Sequence, residues 1–470
     1  MTLLKWTIAV VALSVSLSAQ NQPSVDWARV QVETMQHYQA LLRLDTTDPP
    51  GNESLAATYL QQVLEREGIT ATPSAAEPDR ANLVARLRGN GKKRPLLMMA
   101  HTDTVRVDPK KWTFPPFAAT RDGGYVYGRG TIDDKDNVVA SLMTMLLLKR
   151  NNVSLDRDVI FLAEAGEEGA TQVGIEHMVR EHFPEIDAEY CLAENGTTIR
   201  SGGKVKFTQI QTAEKLPYVT ELTATGTAGH GSVPLIDNPV VHLAAALAAL
   251  GTWKPPIRLS ETTREYFTRL ATVAPPQDAA RYRAVLTPDS KAAQDAVDYF
   301  ADHDPPTASM LRSSISPTLL TGGLQVNVIP SEAKASLDVR LLPVEDPAAF
   351  LERMRRVVND ARVTIKYTGQ NARPAVPPAR LDSEAFRVIE SAVTRIYDTT
   401  TIPAMSTAAS DMAFVRAKGI QCYGIGTATD AEDPSKGFAW HGDQERVLES
   451  ELHRFVRFNW EVVVDLARAK

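Results

Sequence analysis

The run Val159-Ile160-Phe161-Leu162, followed by Ala163-Glu164-Ala165-Gly166-Glu167-Glu168-Gly169, constrains the fold more than any other stretch of the chain. A continuous apolar run with β-branched and aromatic residues, closed by glycines, reads as a strand buried on both faces, so helices must cover each side of its sheet. Glu167 and Glu168 then lie beyond the C-terminal end of that strand, the end at which open α/β sheets bind ligands. Two neighbouring carboxylates there repel unless a proton or a cation lies between them. A metal resolves the conflict: one glutamate ligates it while the other stays free to take a proton from a water that the metal activates. Taken alone, the pair also reads as a solvated turn after a strand.

The same arrangement recurs along the chain. A strand over 95–100 ends in His101-Thr102-Asp103, and the apolar run Tyr190-Cys191-Leu192-Ala193 ends in Glu194-Asn195-Gly196. Between them, Gly128-Arg129-Gly130-Thr131-Ile132-Asp133-Asp134-Lys135 approaches a helix whose buried face is Val138, Val139, Leu142, Met143, Leu146 and Leu147. Asp133 and Asp134 at that helix start also fit plain capping, since the helix dipole favours carboxylates there. His441 follows late, in a loop before the last long helix. Groups of this kind at one end of successive βα units describe a polynuclear metal site of hard oxygen and imidazole ligands.

At 470 residues the chain exceeds one ordinary core and implies about two or three domains. Its net charge of -6 gives no electrostatic footprint for nucleic acid or an anionic membrane, so a small-molecule partner is expected. Lys5, the apolar run from Trp6 to Leu17 and the small residues Ser18 and Ala19 read as an export signal over 1–19, with an uncleaved anchor as the other reading. Either places the body outside the cytoplasm, periplasmic or secreted. Cys191 and Cys422 sit in apolar runs and are expected as buried thiols, with a bridge left open.

From about Lys215 the pattern changes. A strand over 218–225, a helix after Asn238-Pro239, strands over 325–329 and 333–341, a helix after Asp346-Pro347 and a strand over 362–367 follow the order of a ferredoxin-like split βαβ module. Residues 253–312 read as a mostly helical, proline-interrupted insertion that lengthens this module. The expected division is a first domain over 26–214 and 371–470, with a second domain over 215–370 inserted into it. His177, His182 and His303 lie outside every motif and are read as surface.

In this order the motifs resemble the M20 family of co-catalytic zinc metallopeptidases, which includes glutamate carboxypeptidases, carnosinase-like dipeptidases, aminoacylases and deacylases of amino-acid intermediates. The resemblance rests on His101-x-Asp103, Gly128 to Lys135, Glu167-Glu168-Gly169, Glu194, His230 and His441. It implies an α/β catalytic domain, with a mixed central sheet and helices on both faces, carrying an α+β ferredoxin-like lid that dimerises. It implies two zinc ions per chain, with other divalent metals as alternatives: Asp133 bridging, His101 and Glu194 completing one site, Glu168 and His441 the other. Asp103 would orient His101, and Glu167 would be the general base and acid. His230 would reach an active site from the lid, Asn327 and Arg340 would contact a substrate carboxylate, and Gly424 and Gly426 would let the backbone approach the substrate. The implied activity is hydrolysis of an amide bond in a small peptide with a free carboxylate, or in an N-acyl amino acid. A binding protein that kept the fold without catalysis is the reading from another class.

Overall fold

A computed structural model describes residues 25–370 and 372–469, so the expected export segment over 1–19 lies outside the described residues. The centre is a mixed sheet in which Val159–Glu164, Leu96–His101, Tyr190–Ala193 and Gln421–Gly424 run parallel and adjacent in that order. Their alternating side chains enter two separate cores. Met98, Ala100, Phe161 and Leu192 pack on one face with the helices Trp27–Leu42, Lys135–Arg150, Glu384–Tyr397 and Glu449–Ala467. Leu97, Met99, Ile160, Leu162 and Cys191 pack on the other with Ile175, Met178 and Met412. That double burial explains why these strands are unbroken apolar runs with no polar alternation.

Parallel register aligns the strand ends. His101 pairs with Glu164, and Gly424 with Ala193, so the loops bearing Asp103, Glu167, Glu194 and Gly426 leave the sheet from one edge. Cys191 is the register partner of Cys422; both thiols are buried and free. The helix Lys135–Arg150 departs from the one-faced helix expected over that segment. All of its residues through Leu148 are buried, because the helices Trp27–Leu42 and Glu449–Ala467 pack against it.

The lid is a four-stranded antiparallel sheet in the order Ser314–Gly322, Glu332–Leu341, Leu216–Thr225, Val363–Tyr367, backed by helices Pro239–Thr252 and Pro347–Val358. This is the ferredoxin-like arrangement. Asn238 and Asp346 cap the two helices through their side chains, each followed by proline in the first turn. Only Val328–Ile329 of the strand expected over 325–329 forms, paired with Gly229–His230 in a separate ribbon.

The helical insertion does not lengthen the lid sheet. Its helices Glu261–Val273, Pro276–Ala284 and Lys291–His303 bury Tyr266, Phe267, Leu270, Val297 and Phe300 against Ile402, Ala404 and Met405. Those three belong to Thr401–Ser406, a strand parallel to Lys204–Glu214 in the main sheet. The apolar residues of that strand need a cover, and the insertion supplies it. Among the described residues no helix is long and apolar enough to cross a membrane.

Candidate metal centre

Asp133 stands between two histidines. His101 Nε2 lies 3.1 Å from Asp133 Oδ1 and 3.8 Å from Glu194 Oε2. His441 Nε2 lies 3.1 Å from Asp133 Oδ2 and 3.1 Å from Glu168 Oε2. The structure thus brings together two triads, His101–Asp133–Glu194 and Asp133–Glu168–His441, which share one carboxylate. The peptide bond between Asp133 and Asp134 is cis.

Surrounding groups fix these side chains. His101 Nδ1 lies 3.2 Å from the Asp103 carbonyl oxygen and 3.4 Å from its carboxylate. The Asp103 carboxylate accepts the backbone N–H groups of Glu167 and Glu168. Asp134 accepts the N–H of His101 and is held by Asn137. Sequence reasoning missed Glu445, which accepts hydrogen bonds from Arg129 and from the N–H groups of Gly130 and Ile132 and so shapes the approach to Asp133. Lys135 is buried and donates to the carbonyls of Leu41 and Leu44; burial pulls its ammonium down to about 8.

The charge balance is lopsided. Glu164, Glu167 and Glu194 are all held well above the usual carboxylate range, first by burial and then by neighbouring acids, Asp411 or Glu167. Burial likewise raises Asp411 to about 8. Burial opposes charging His101, yet Asp103 and Asp133 raise it well above its ordinary value. His441 is pushed up to about 10 by Asp133 and Glu168. A buried nest of acids that raises both imidazoles calls for added positive charge, and its oxygen and nitrogen donors around a shared carboxylate fit two divalent cations.

Asp133, Glu168, Glu194 and His441 border a cavity of about 1170 Å³ between the main sheet, the lid and the insertion. Glu167, Arg340 and Gly426 line it, with Tyr266 and Met310 from the insertion, and Arg373. His230 and Asn327 do not line it; they lie in the lid ribbon, where Gly231 N–H donates to the Asn327 carbonyl. Arg340 Nε donates to Asp338 at 2.8 Å. Gly424 and Gly426 have a packing reason distinct from substrate approach: a Cβ on either would lie within 2.3 Å of the carbonyl oxygens of Glu194 or Gly196. Arg373, 3.5 Å from Asp411, gave no sequence signal because it sits alone in a proline-rich return segment.

The reading of His177 as surface is overturned. It is 5% exposed, carried by the helix Ile175–Glu181 and facing the outer strand Ala71–Ala75, where it meets Ser74. His182 is half-buried beside it, and His303 is exposed.

The model of peptidase family M20/M25/M40 matches residues 97–463. Mouse aminoacylase-1 is 24% identical over 393 residues, covering 83% of this chain and 85% of that protein. A probable carboxypeptidase S-like 2 of Dictyostelium discoideum is 26% identical over 308 residues, 64% of this chain and 58% of that protein, so the match spans little more than half of that relative. Among solved structures, the M20 metallo-carboxypeptidase Sso-CP2 of Sulfolobus solfataricus superposes with a TM-score of 0.68 at 20% identity, over 92% of this chain and 98% of its own. Human carnosine dipeptidase 1 superposes with a TM-score of 0.65 at 14% identity, over 95% and 99%. With the family match covering most of its length, the chain belongs to peptidase family M20/M25/M40.

Proposed function

We propose that this M20 hydrolase cleaves the amide bond of a small substrate with a free carboxylate, of dipeptidase or carboxypeptidase type, with two zinc ions. The observation that carries the reading is the carboxylate of Asp133 shared by two ligand triads, with Glu167 outside both triads in the same cavity. His101, Asp133 and Glu194 hold one cation; Asp133, Glu168 and His441 hold the other. Such a pair supplies Lewis-acid polarisation of the scissile carbonyl and lowers the pKa of a water.

The remaining steps belong to the chain. Burial and neighbouring acids give Glu167 a high proton affinity, as a group needs if it is to accept a proton from the attacking water and hand it to the leaving amine. Asp103 keeps His101 in one tautomer and fixes the loop of Glu167. Arg340, and with it Arg373, supplies positive charge on the cavity wall for a substrate carboxylate.

A second reading, deacylation of an N-acyl amino acid, is favoured by one observation. The cavity is larger than a dipeptide requires, and Tyr266 and Met310 give it an apolar wall. The relative aminoacylase-1 accords with this reading.

His230 does not line the cavity of its own chain, so its proposed contact with substrate is made in a partner's cavity. The dimer proposed for this passes through the lid, where Leu319 and Leu320 of the edge strand Ser314–Gly322 are each 66% exposed and Val241 of the helix Pro239–Thr252 is exposed as well. Export is proposed from the pattern over 1–19 alone. The deciding assay presents dipeptides and N-acyl amino acids to the purified chain with zinc and with chelator. Zinc-dependent hydrolysis is expected; hydrolysis indifferent to chelation overturns the metal reading.

A further inference from the structure

A second cluster of imidazoles lies on and just beyond the helix Ile175–Glu181, and none of its ligating residues lines the cavity. Ser74 Oγ lies 2.9 Å from Nε2 of His177 and 2.9 Å from Nε2 of His182. His182 Nδ1 lies 2.8 Å from Glu185 Oε1, and His177 Nδ1 lies 3.6 Å from Glu181 Oε1. The rings meet edge to face, 5.0 Å between centroids.

Protons are short at this cluster. Two neutral imidazoles and one hydroxyl carry three protons, which the three hydrogen bonds at 2.8 to 2.9 Å use up, leaving none between His177 Nδ1 and the Glu181 carboxylate 3.6 Å away. If His177 Nε2–H donates to Ser74, Ser74 to His182 Nε2, and His182 Nδ1–H to Glu185, every proton is used. His177 Nδ1 is then a bare lone pair facing a carboxylate, and that atom is buried without a hydrogen-bond partner. The deficit is met by a proton on a buried imidazole, which is costly, or by a cation shared with the carboxylate.

We propose that His177, Glu181 and His182 form a third metal site, for a divalent cation of the zinc class. Each offers one ligand atom, and the three atoms lie within 4.8 Å of one another. Two imidazoles and a carboxylate suit Zn2+, Ni2+ or Cu2+ better than Mg2+ or Ca2+. Glu185 holds the proton on Nδ1 of His182, the usual carboxylate support behind an imidazole ligand, so the Nε2 lone pair is available to a cation once it gives up the hydrogen bond with the Ser74 hydroxyl. His177 is buried while Glu181 is exposed, so the site opens to solvent on one side. A cation there would tie His177 and Glu181 of the helix Ile175–Glu181 to His182 at its C-terminal cap, and it takes no part in turnover.

The test counts metal. Metal-free wild type, Glu181→Gln and His182→Asn are dialysed against the same free Zn2+, and zinc per chain is measured by mass spectrometry. Each variant is expected to hold one equivalent fewer than wild type, with kcat of the zinc-loaded enzyme within twofold. Equal counts overturn the proposal and leave a protonated imidazole as the charge. A missing equivalent that takes turnover with it also overturns it, by assigning that metal to the centre at Asp133. Glu181→Gln alters an exposed position, so the count stands even where His182→Asn folds poorly, and it does not depend on the substrate chosen.

Discussion

The carboxylate of Asp103 accepts the backbone N–H of Glu168 at 3.0 Å. One side chain thereby connects the end of the Leu96–His101 strand, where it sits beside His101, to the loop that follows Val159–Glu164. Substituting Asp103→Ala frees both the His101 ring and the Glu167–Glu168 backbone. Metal affinity should fall about 10- to 100-fold, as when a carboxylate behind an imidazole ligand is removed. Zinc titration against a competing chelator measures it, and an unchanged affinity would show that Asp103 acts only in packing.

Glu167 lies outside both ligand triads, so its removal should separate chemistry from metal binding. Glu167→Gln is expected to keep its full zinc content and to lose about 10²- to 10⁴-fold in kcat. Metal analysis beside steady-state kinetics checks both halves. Turnover like wild type would remove Glu167 from the mechanism.

Met310 and Tyr266 come from the insertion and line the cavity. Met310→Ala should reduce kcat/KM for a bulky N-acyl amino acid by about tenfold, the scale expected for lost apolar contact in a pocket. A dipeptide with a small N-terminal residue should change less than twofold. A uniform loss across both substrates would place Met310 in the fold rather than in selectivity.

Lys215 joins the main-sheet strand Lys204–Glu214 to the lid strand Leu216–Thr225 and is buried. It donates to Ser309, Ser314 and the Arg312 carbonyl. Burial pulls its ammonium down to about 7 from 10.5, with Arg340 adding to the shift. Between those values the unfolded chain binds a proton that the folded chain does not, so this group makes stability rise with pH across that window. Lys215→Met should remove up to about 1.4 kcal/mol per pH unit of that slope, read from urea melts at pH 7 to 10. An unaltered slope would mean that Lys215 keeps its proton.

Sequence pattern made most of the centre legible because every ligand but His441, which comes from a loop, ends or follows a strand or precedes a helix start, and parallel register converts those ends into one place. His101 ends one strand, and Glu168 and Glu194 lie in the loops that follow two neighbouring strands at the same edge of the sheet. The lid's order was legible from its period-two strand Glu332–Leu341 and its two capped helices. What pattern could not show was which element covers which. The insertion carries its own amphipathic helices, and nothing in them says that their apolar faces meet Ile402 and Met405. His177 has the same history: an isolated histidine on a short helix is silent about the strand from which Ser74 meets it.

The central claim is that Asp133 is shared by two cations. Anomalous diffraction at the zinc edge from crystals grown with Zn2+ tests it most directly. The account predicts two peaks about 3.5–4 Å apart, one beside His101 and Glu194 and one beside Glu168 and His441, with the carboxylate of Asp133 between them. A single peak, or none within bonding reach of Asp133, would contradict it.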